Sequence, residues 1–111
     1  MGVTRMNEDL RYIEERLDAG FTRRMQTRYQ IMVTNDPYDQ TFNFFLNSQR
    51  RNQWQKSLPL HSVTTYRLAY LEALLEQLRK HTQLTFLFVG FTGQRWPSNQ
   101  QFIQRRRLGD E

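Results

Sequence analysis

Cysteine is absent from this chain of 111 residues. Its absence excludes a disulfide framework, a thiolate zinc site and a cysteine nucleophile, and it favours a reducing, cytoplasmic compartment. Long apolar runs are also missing. The longest, residues 84–91, is far shorter than the ~20 residues that a membrane-spanning helix needs, and residues 1–19 contain no apolar run typical of a signal peptide. We therefore expect an intracellular protein with no membrane partner.

Lysine is scarce as well, since only Lys56 and Lys80 accompany fourteen arginines. The charge is uneven: residues 20–107 contain thirteen bases and four acids, whereas residues 1–19 contain five acids and three arginines. Arginine makes planar, bidentate contacts with phosphate or carboxylate and stacks on bases. The basic body is typical of a surface that binds nucleic acid or an acidic protein, but genomic base composition acting on a solvated surface would explain it equally well.

The first half of the chain predicts one helix and three strands. Residues 8–18 form an apolar stripe at helical spacing behind a capping Asn7, and residues 28–35 alternate as a strand does. A strong turn signal follows. Residues 41–48 fit a strand or a helix, and we prefer the strand because their β-favouring aromatics would complete a hairpin. Residues 50–58 predict a third, more exposed strand that Pro59 interrupts.

The second half predicts a long helix, a buried strand and a short last helix. The long helix covers residues 62–80, with Ser62 as its cap and five leucines on one side. Residues 84–91 are apolar on both faces, which predicts an interior strand covered on both sides. Ser98 would cap a last helix that ends at Gly109. His61 and His81, at the ends of the long helix, are interpreted as ordinary terminal histidines.

These elements predict one α/β (α+β) domain over residues 1–111, in the order α-β-β-β-α-β-α. A small mixed sheet would carry helices packed on it, and residues 1–6 and 108–111 would be flexible ends. The apolar content is generous for four short strands. We therefore expect either helices on both faces of the sheet or a second copy of the chain, and a homodimer could form through the sheet edge at residues 50–58.

From Tyr29 to about Arg107 the predicted order resembles a ribonuclease-H-like domain. The resemblance depends on topology and on the run Thr64-Thr65-Tyr66-Arg67, which opens the long helix. It implies carboxylates that converge on two metal ions. Asp36 or Asp39 could supply the first, but Ala69 occupies the position expected for the helix glutamate. Phe91 and Thr92 likewise stand where an aspartate is required, so the resemblance implies a scaffold without its metal site: no enzyme, no metal and no cofactor.

The order from the first helix to the long helix also resembles a double-stranded-RNA-binding domain. Residues 35–38 would take the place of the loop that enters a minor groove, and residues 62–67 the place of the basic cluster that bridges phosphates. Only Arg67 is basic in that cluster, and the strand at residues 84–91 has no counterpart in the family. We place this resemblance second.

Basic residues stand beside tryptophan twice in the sequence. An arginine that neutralises phosphate next to an aromatic ring that stacks on an unpaired base is typical of single-strand binding. The alternative is that both tryptophans pack at the edge of the core and that the arginines near the C-terminus complement a helix dipole. The sequence predicts a nucleic-acid-binding site at Arg50, Arg51, Trp54, Arg95, Trp96, Arg105 and Arg106.

The function predicted first is therefore a non-enzymatic binding protein whose arginine-rich surface engages nucleic acid or an acidic partner. A second hypothesis is a protein-interaction module, such as an inhibitor, adaptor or assembly factor of phage or mobile-element origin. It would act through an apolar helix face formed by Leu10, Ile13 and Leu17, or through the tyrosines Tyr66 and Tyr70.

Overall fold

A long β-hairpin forms the centre of the protein in the computed structural model, which describes residues 2–21 and 27–104. Strands β1 (Thr27–Asp36) and β2 (Thr41–Arg50) pair antiparallel over ten residues each, from Thr27 opposite Arg50 to Asp36 opposite Thr41. Asp36 Oδ1 closes the turn by accepting hydrogen bonds from the backbone N–H groups of Tyr38 and Asp39, both at 3.1 Å. The predicted hairpin is confirmed, and the helical interpretation of residues 41–48 is wrong.

Strands β3 (Lys56–Val63) and β4 (Phe86–Val89) complete a four-stranded mixed sheet in the order β3-β2-β1-β4. β3 pairs antiparallel with β2, whereas β4 pairs parallel with β1. Helix α1 (Gly2–Gly20) precedes the sheet, and helix α2 (Leu68–His81) connects β3 to β4. The predicted α+β class and the order α-β-β-β-α-β are confirmed.

The third strand and the second helix begin six residues later than predicted. Ser62, the predicted helix cap, lies in β3 and donates a hydrogen bond to Asn43 Oδ1. Pro59 does not end the strand either. It lies where the pairing with β2 shifts register, and an edge strand tolerates a missing N–H donor at such a bulge. Arg67 is the residue that precedes α2, and its side chain makes no capping hydrogen bond.

Both ends of the chain also differ from the prediction. Helix α1 starts at Gly2, so Asn7 lies within the helix, as do residues 2–6, which the sequence predicts as a flexible end. Residues 98–104 form a turn and isolated bridges rather than the start of a helix. The remainder of that predicted helix, to Gly109, and the predicted flexible end at residues 108–111 lie outside the described residues.

Both helices pack on the same face of the sheet, which we call the covered face. Alternate residues of the hairpin point to it, including the buried Ile31, Val33 and Phe44, and they join the leucines of α2 in one apolar core. Helix α1 lies against β3, where Arg16 Nη1 donates a 2.7 Å hydrogen bond to the carbonyl oxygen of Leu60. The covered face therefore contains the core of the protein.

The opposite face, which we call the open face, has no helix packed on it within the described residues. Its side chains are mostly half-buried, and they include Met32, Phe45, Leu87 and Val89. Residues of β4 are half-buried on both faces, because β4 is an edge strand of the sheet. The prediction of an interior strand covered on both sides is therefore wrong.

A buried polar cluster attaches α1 to the rest of the fold. Asp9 accepts a hydrogen bond from the Tyr70 hydroxyl at 2.5 Å, and its other carboxylate oxygen lies 2.7 Å from His61 Nε2. Burial, together with the hydrogen bond to Asp9 and its charge, raises the pKa of the Tyr70 phenol well above its ordinary range. Nearer solvent, His81 Nε2 lies 2.9 Å from Asp18 Oδ1. Each histidine thus has a carboxylate partner on α1.

Gly90 is required where the chain leaves β4. Its φ of +87° is in the left-handed region, and a Cβ atom there would lie 2.9 Å from the carbonyl oxygen of Asn35. We expect Gly90→Ala to lower the free energy of unfolding by about 2 kcal/mol or more. Gly93→Ala, at a φ of +83° but with no atom within 4 Å, is the matched control and should cost about 1 kcal/mol. Urea denaturation followed by circular dichroism compares the two, and equal losses would contradict this view of Gly90.

Candidate functional site

Arg50, Arg51 and Trp54 lie together at one end of the sheet, where β1 begins and β2 ends. β2 runs out at Arg50, and a turn follows in which the Gln53 N–H donates a 3.0 Å hydrogen bond to the carbonyl oxygen of Arg50. Asn52 adopts a φ of +63° there, a conformation that asparagine tolerates better than most residues. The turn presents the Trp54 ring to solvent with 92% of its surface exposed.

Three cavities adjoin around this end of the sheet. The largest, of about 490 Å³, is lined by residues 27, 28 and 49–52. A second, of about 330 Å³, shares Arg28 and Gln49 with it and extends over the open face. A third, of about 50 Å³, lies beside Trp54 and Lys56. No acidic residue lines any of the three.

The bases at these cavities have no partner among the residues that the structure describes. Among the described residues, Arg28, Arg50, Arg51 and Lys56 make no ion pair and no side-chain hydrogen bond. We call these four residues and Trp54 the basic end. Four like charges close together give this end of the protein a positive potential.

Most other described arginines are used by the fold itself. Arg5 donates to Thr64, Arg16 donates to the Leu60 carbonyl, and Arg79 lies over the Phe86 ring. Arg11 lies near Glu15 and the Tyr12 ring. Arg67 and Lys80 also lack partners among the described residues, but they lie at opposite ends of α2 and so do not form a cluster with each other. A concentration of unpaired bases is therefore found at the basic end and nowhere else in the described part of the chain.

Arg95 and Trp96, predicted as part of the same site, lie at the opposite end of the sheet. They follow β4, and the pairing of β4 with β1 puts the end of β4 close to the level of Asn35. At that level the Asn35 side chain donates a 3.0 Å hydrogen bond to the carbonyl oxygen of Gly90. Eight residues of β1 separate that level from Thr27, a distance of about 26 Å. Arg95 and Trp96 therefore do not belong to the basic end.

Trp96 and Arg95 also have structural partners. The Trp96 ring packs edge-on against Phe88 with ring centroids 5.5 Å apart, and the Arg95 guanidinium lies 4.4 Å from the centroid of the Phe102 ring. These contacts agree with the alternative interpretation of a core-edge tryptophan. Arg105 and Arg106, like Arg23, Arg24 and Arg107, lie outside the described residues, so the part of the site predicted there stays a prediction.

The apolar stripe of α1, on which the second hypothesis depends, is covered by the protein itself. Ile13 is fully buried and Leu17 is 2% exposed, while Leu10 is half-buried against the same core. Of the two tyrosines, Tyr70 is buried on Asp9, and the half-buried Tyr66 donates a 2.6 Å hydrogen bond to Asn35 Oδ1. The face predicted to bind a partner is not available in this fold.

The described residues contain no group of three or more histidine, cysteine, aspartate or glutamate side chains placed to hold a metal ion. Asp36, the first acid that the ribonuclease-H-like resemblance suggests, is used in the hairpin turn. Neither helix within residues 2–21 and 68–81 is long and apolar enough to cross a membrane. Searches against protein-family models, curated proteins and solved structures find no match.

Sequence reasoning missed several members of the site. Arg28 belongs to the site because β1 begins level with the end of β2. Lys56 belongs to it because β3 also begins near the end of β2. A signal was present in the printed sequence: residues 40–71 contain no acid, although they contain four bases. The Asp9 cluster had no comparable signal, because Asp9 is 52 residues from His61 and 61 residues from Tyr70 along the chain.

Proposed function

We propose that this protein is a non-enzymatic nucleic-acid-binding protein that holds phosphates at the basic end. The observation that carries the proposal is the contrast among the described bases: those elsewhere mostly have a partner, whereas Arg28, Arg50, Arg51 and Lys56 surround adjoining cavities with no partner among the described residues. A cluster of positive side chains complements the charge of a phosphate backbone, and arginine can bind a phosphate through two parallel hydrogen bonds.

The exposed indole supports nucleic acid over an acidic protein. Trp54 lies next to the bases, and 92% of its surface is in solvent. The indole face is therefore accessible to a ligand that stacks on it. A base stacked on an aromatic ring contributes about 1–3 kcal/mol, whereas a carboxylate-rich peptide gains nothing comparable from it.

The salt dependence of binding tests the proposal. A fluorescently labelled oligonucleotide should bind the wild-type protein, and anisotropy should give a plot of log K against log salt with a slope of about −3, as expected for four neutralised phosphates of a single strand. Poly-glutamate of equal charge is the competitor. We expect it to displace the oligonucleotide poorly. Displacement at equal concentration would indicate an acidic protein partner instead, and an absence of oligonucleotide binding at low salt would refute the proposal.

A further inference from the structure

We infer that the bound nucleic acid is single-stranded and that one unpaired base enters the cavity of about 330 Å³ on the open face. This inference rests on the proposed function, because the cavity joins the basic end through Arg28 and Gln49. It adds the form of the ligand and a place where base identity can be sensed. We call this cavity the amide cavity, because four of its eight lining residues are asparagine or glutamine.

The lining of the amide cavity is suited to the edge of a base. Its side-chain amides belong to Gln30, Asn47, Gln49 and Gln55. Each amide offers both a donor and an acceptor, as the Watson–Crick and Hoogsteen edges of bases do, and paired amide contacts with adenine are among the common base-specific contacts. Arg28 supplies a planar cation at the rim, which can bind phosphate or stack on the ring.

Two of these amides are fixed by hydrogen bonds, and the other two make none to the described residues. Asn47 is 4% exposed, and its Oδ1 accepts a 2.6 Å hydrogen bond from Ser57. Gln49 donates through Nε2 to the carbonyl oxygen of Gln53. Among the described residues, no hydrogen bond is made by the side chains of Gln30 and Gln55. The cavity therefore combines two fixed amides with two whose side chains make no hydrogen bond to the described residues.

The position of the cavity excludes a paired base. The amide cavity lies on the open face. Trp54 lines a different cavity together with Tyr29, whose side chain is on the covered face, so the two sites lie on opposite sides of the end of the sheet. A strand that contacts Trp54, the arginines and the amide cavity must bend around the end of the hairpin. A duplex, whose persistence length is about 150 base pairs, cannot follow so tight a path, and its bases stay stacked and paired. A flexible single strand can follow it with its bases exposed.

Anisotropy with matched oligonucleotides tests the inference. The probes are 12-nucleotide single strands of DNA and of RNA, a DNA strand of the same length with an abasic site at each position, and a blunt duplex. The variant is Gln30→Ala with Gln55→Ala. Its matched control is Gln77→Ala with Gln101→Ala, which removes two exposed glutamines on α2 and in the loop that follows β4. Circular dichroism melting establishes that both variants are folded.

We expect the wild type to bind intact single strands at least tenfold more tightly than the abasic strand or the duplex. The Gln30/Gln55 variant should lose about tenfold in affinity for base-bearing strands, with the salt slope and the abasic affinity unchanged, while the control variant behaves as wild type. Equal affinity for intact, abasic and duplex probes would overturn the inference and leave the proposed function standing. Failure of every probe to bind would overturn the proposed function itself.

Discussion

Reversing two charges at the basic end, by Arg50→Glu with Arg51→Glu, should lower oligonucleotide affinity on the order of 100-fold or more at moderate salt. Each arginine would lose a charge-assisted contact with phosphate, and each glutamate would repel the backbone that remains. The slope of log K against log salt should fall in magnitude by about 1.4, because two phosphates of a single strand are no longer neutralised. Anisotropy titrations at four salt concentrations measure both quantities.

The matched control for this variant is Arg67→Glu with Lys80→Glu. It changes the net charge by the same amount, but its two residues lie at opposite ends of α2 and outside the basic end. A loss that depends on overall charge alone would weaken both variants equally, whereas a loss at a defined site should leave the control within about threefold of wild type. Equal weakening of the two variants would refute the basic end as the binding site.

Removing the carboxylate of the buried cluster, by Asp9→Ala, should lower the free energy of unfolding by about 3 kcal/mol. The Tyr70 hydroxyl and His61 Nε2 would both lose their partner inside the protein, where water does not readily replace it. Urea denaturation monitored by circular dichroism measures the loss. For a domain of this size, a change of that order is a large part of the total stability.

Asp18→Ala provides the comparison, since Asp18 also pairs with a histidine but its side chain is 64% exposed. An exposed ion pair contributes about 1 kcal/mol or less, so this variant should unfold close to the wild-type midpoint. If both substitutions destabilise the protein to the same extent, the buried cluster does not anchor α1 as described.

The hairpin and the leucine-rich helix were predictable because their signals are local. The alternation from Tyr29 to Val33 and the turn at Asn35, Asp36 and Pro37 stand next to each other in the sequence, and the structure has both. The five leucines of the helix arc lie within about three helical turns, and four of them are buried. No distant residue is needed to interpret either element.

The boundaries of β3 and the place of β4 depend on partners far along the chain. Pro59 suggests an end to a strand, yet the bulge opposite Phe44 and Phe45 accommodates it. The apolar residues of β4 indicate a buried strand, yet the parallel pairing with β1 places them at an edge. Local composition does not distinguish an edge strand from an interior strand when no helix covers the second face.

The candidate site was predictable in part. Arg50, Arg51 and Trp54 are neighbours in sequence and in space, so one segment sufficed to find them. Arg95 and Trp96 carry the same local pattern but follow β4, which ends at the other end of β1. Arg28 and the amides of the cavity reach the site only through strand pairing. One segment of the sequence therefore predicted three of the five residues of the basic end.

The cluster of Asp9 with Tyr70 also has a consequence for synthesis of the chain. The two residues are 61 positions apart, so α1 leaves the ribosome long before the residues that hold it exist. At about 5–20 residues per second, the helix waits about 3–12 s for Tyr70 to be translated. During that interval Ile13 and Leu17 lack the core that buries them in the folded protein, so α1 cannot dock on the cluster until Tyr70 has been made.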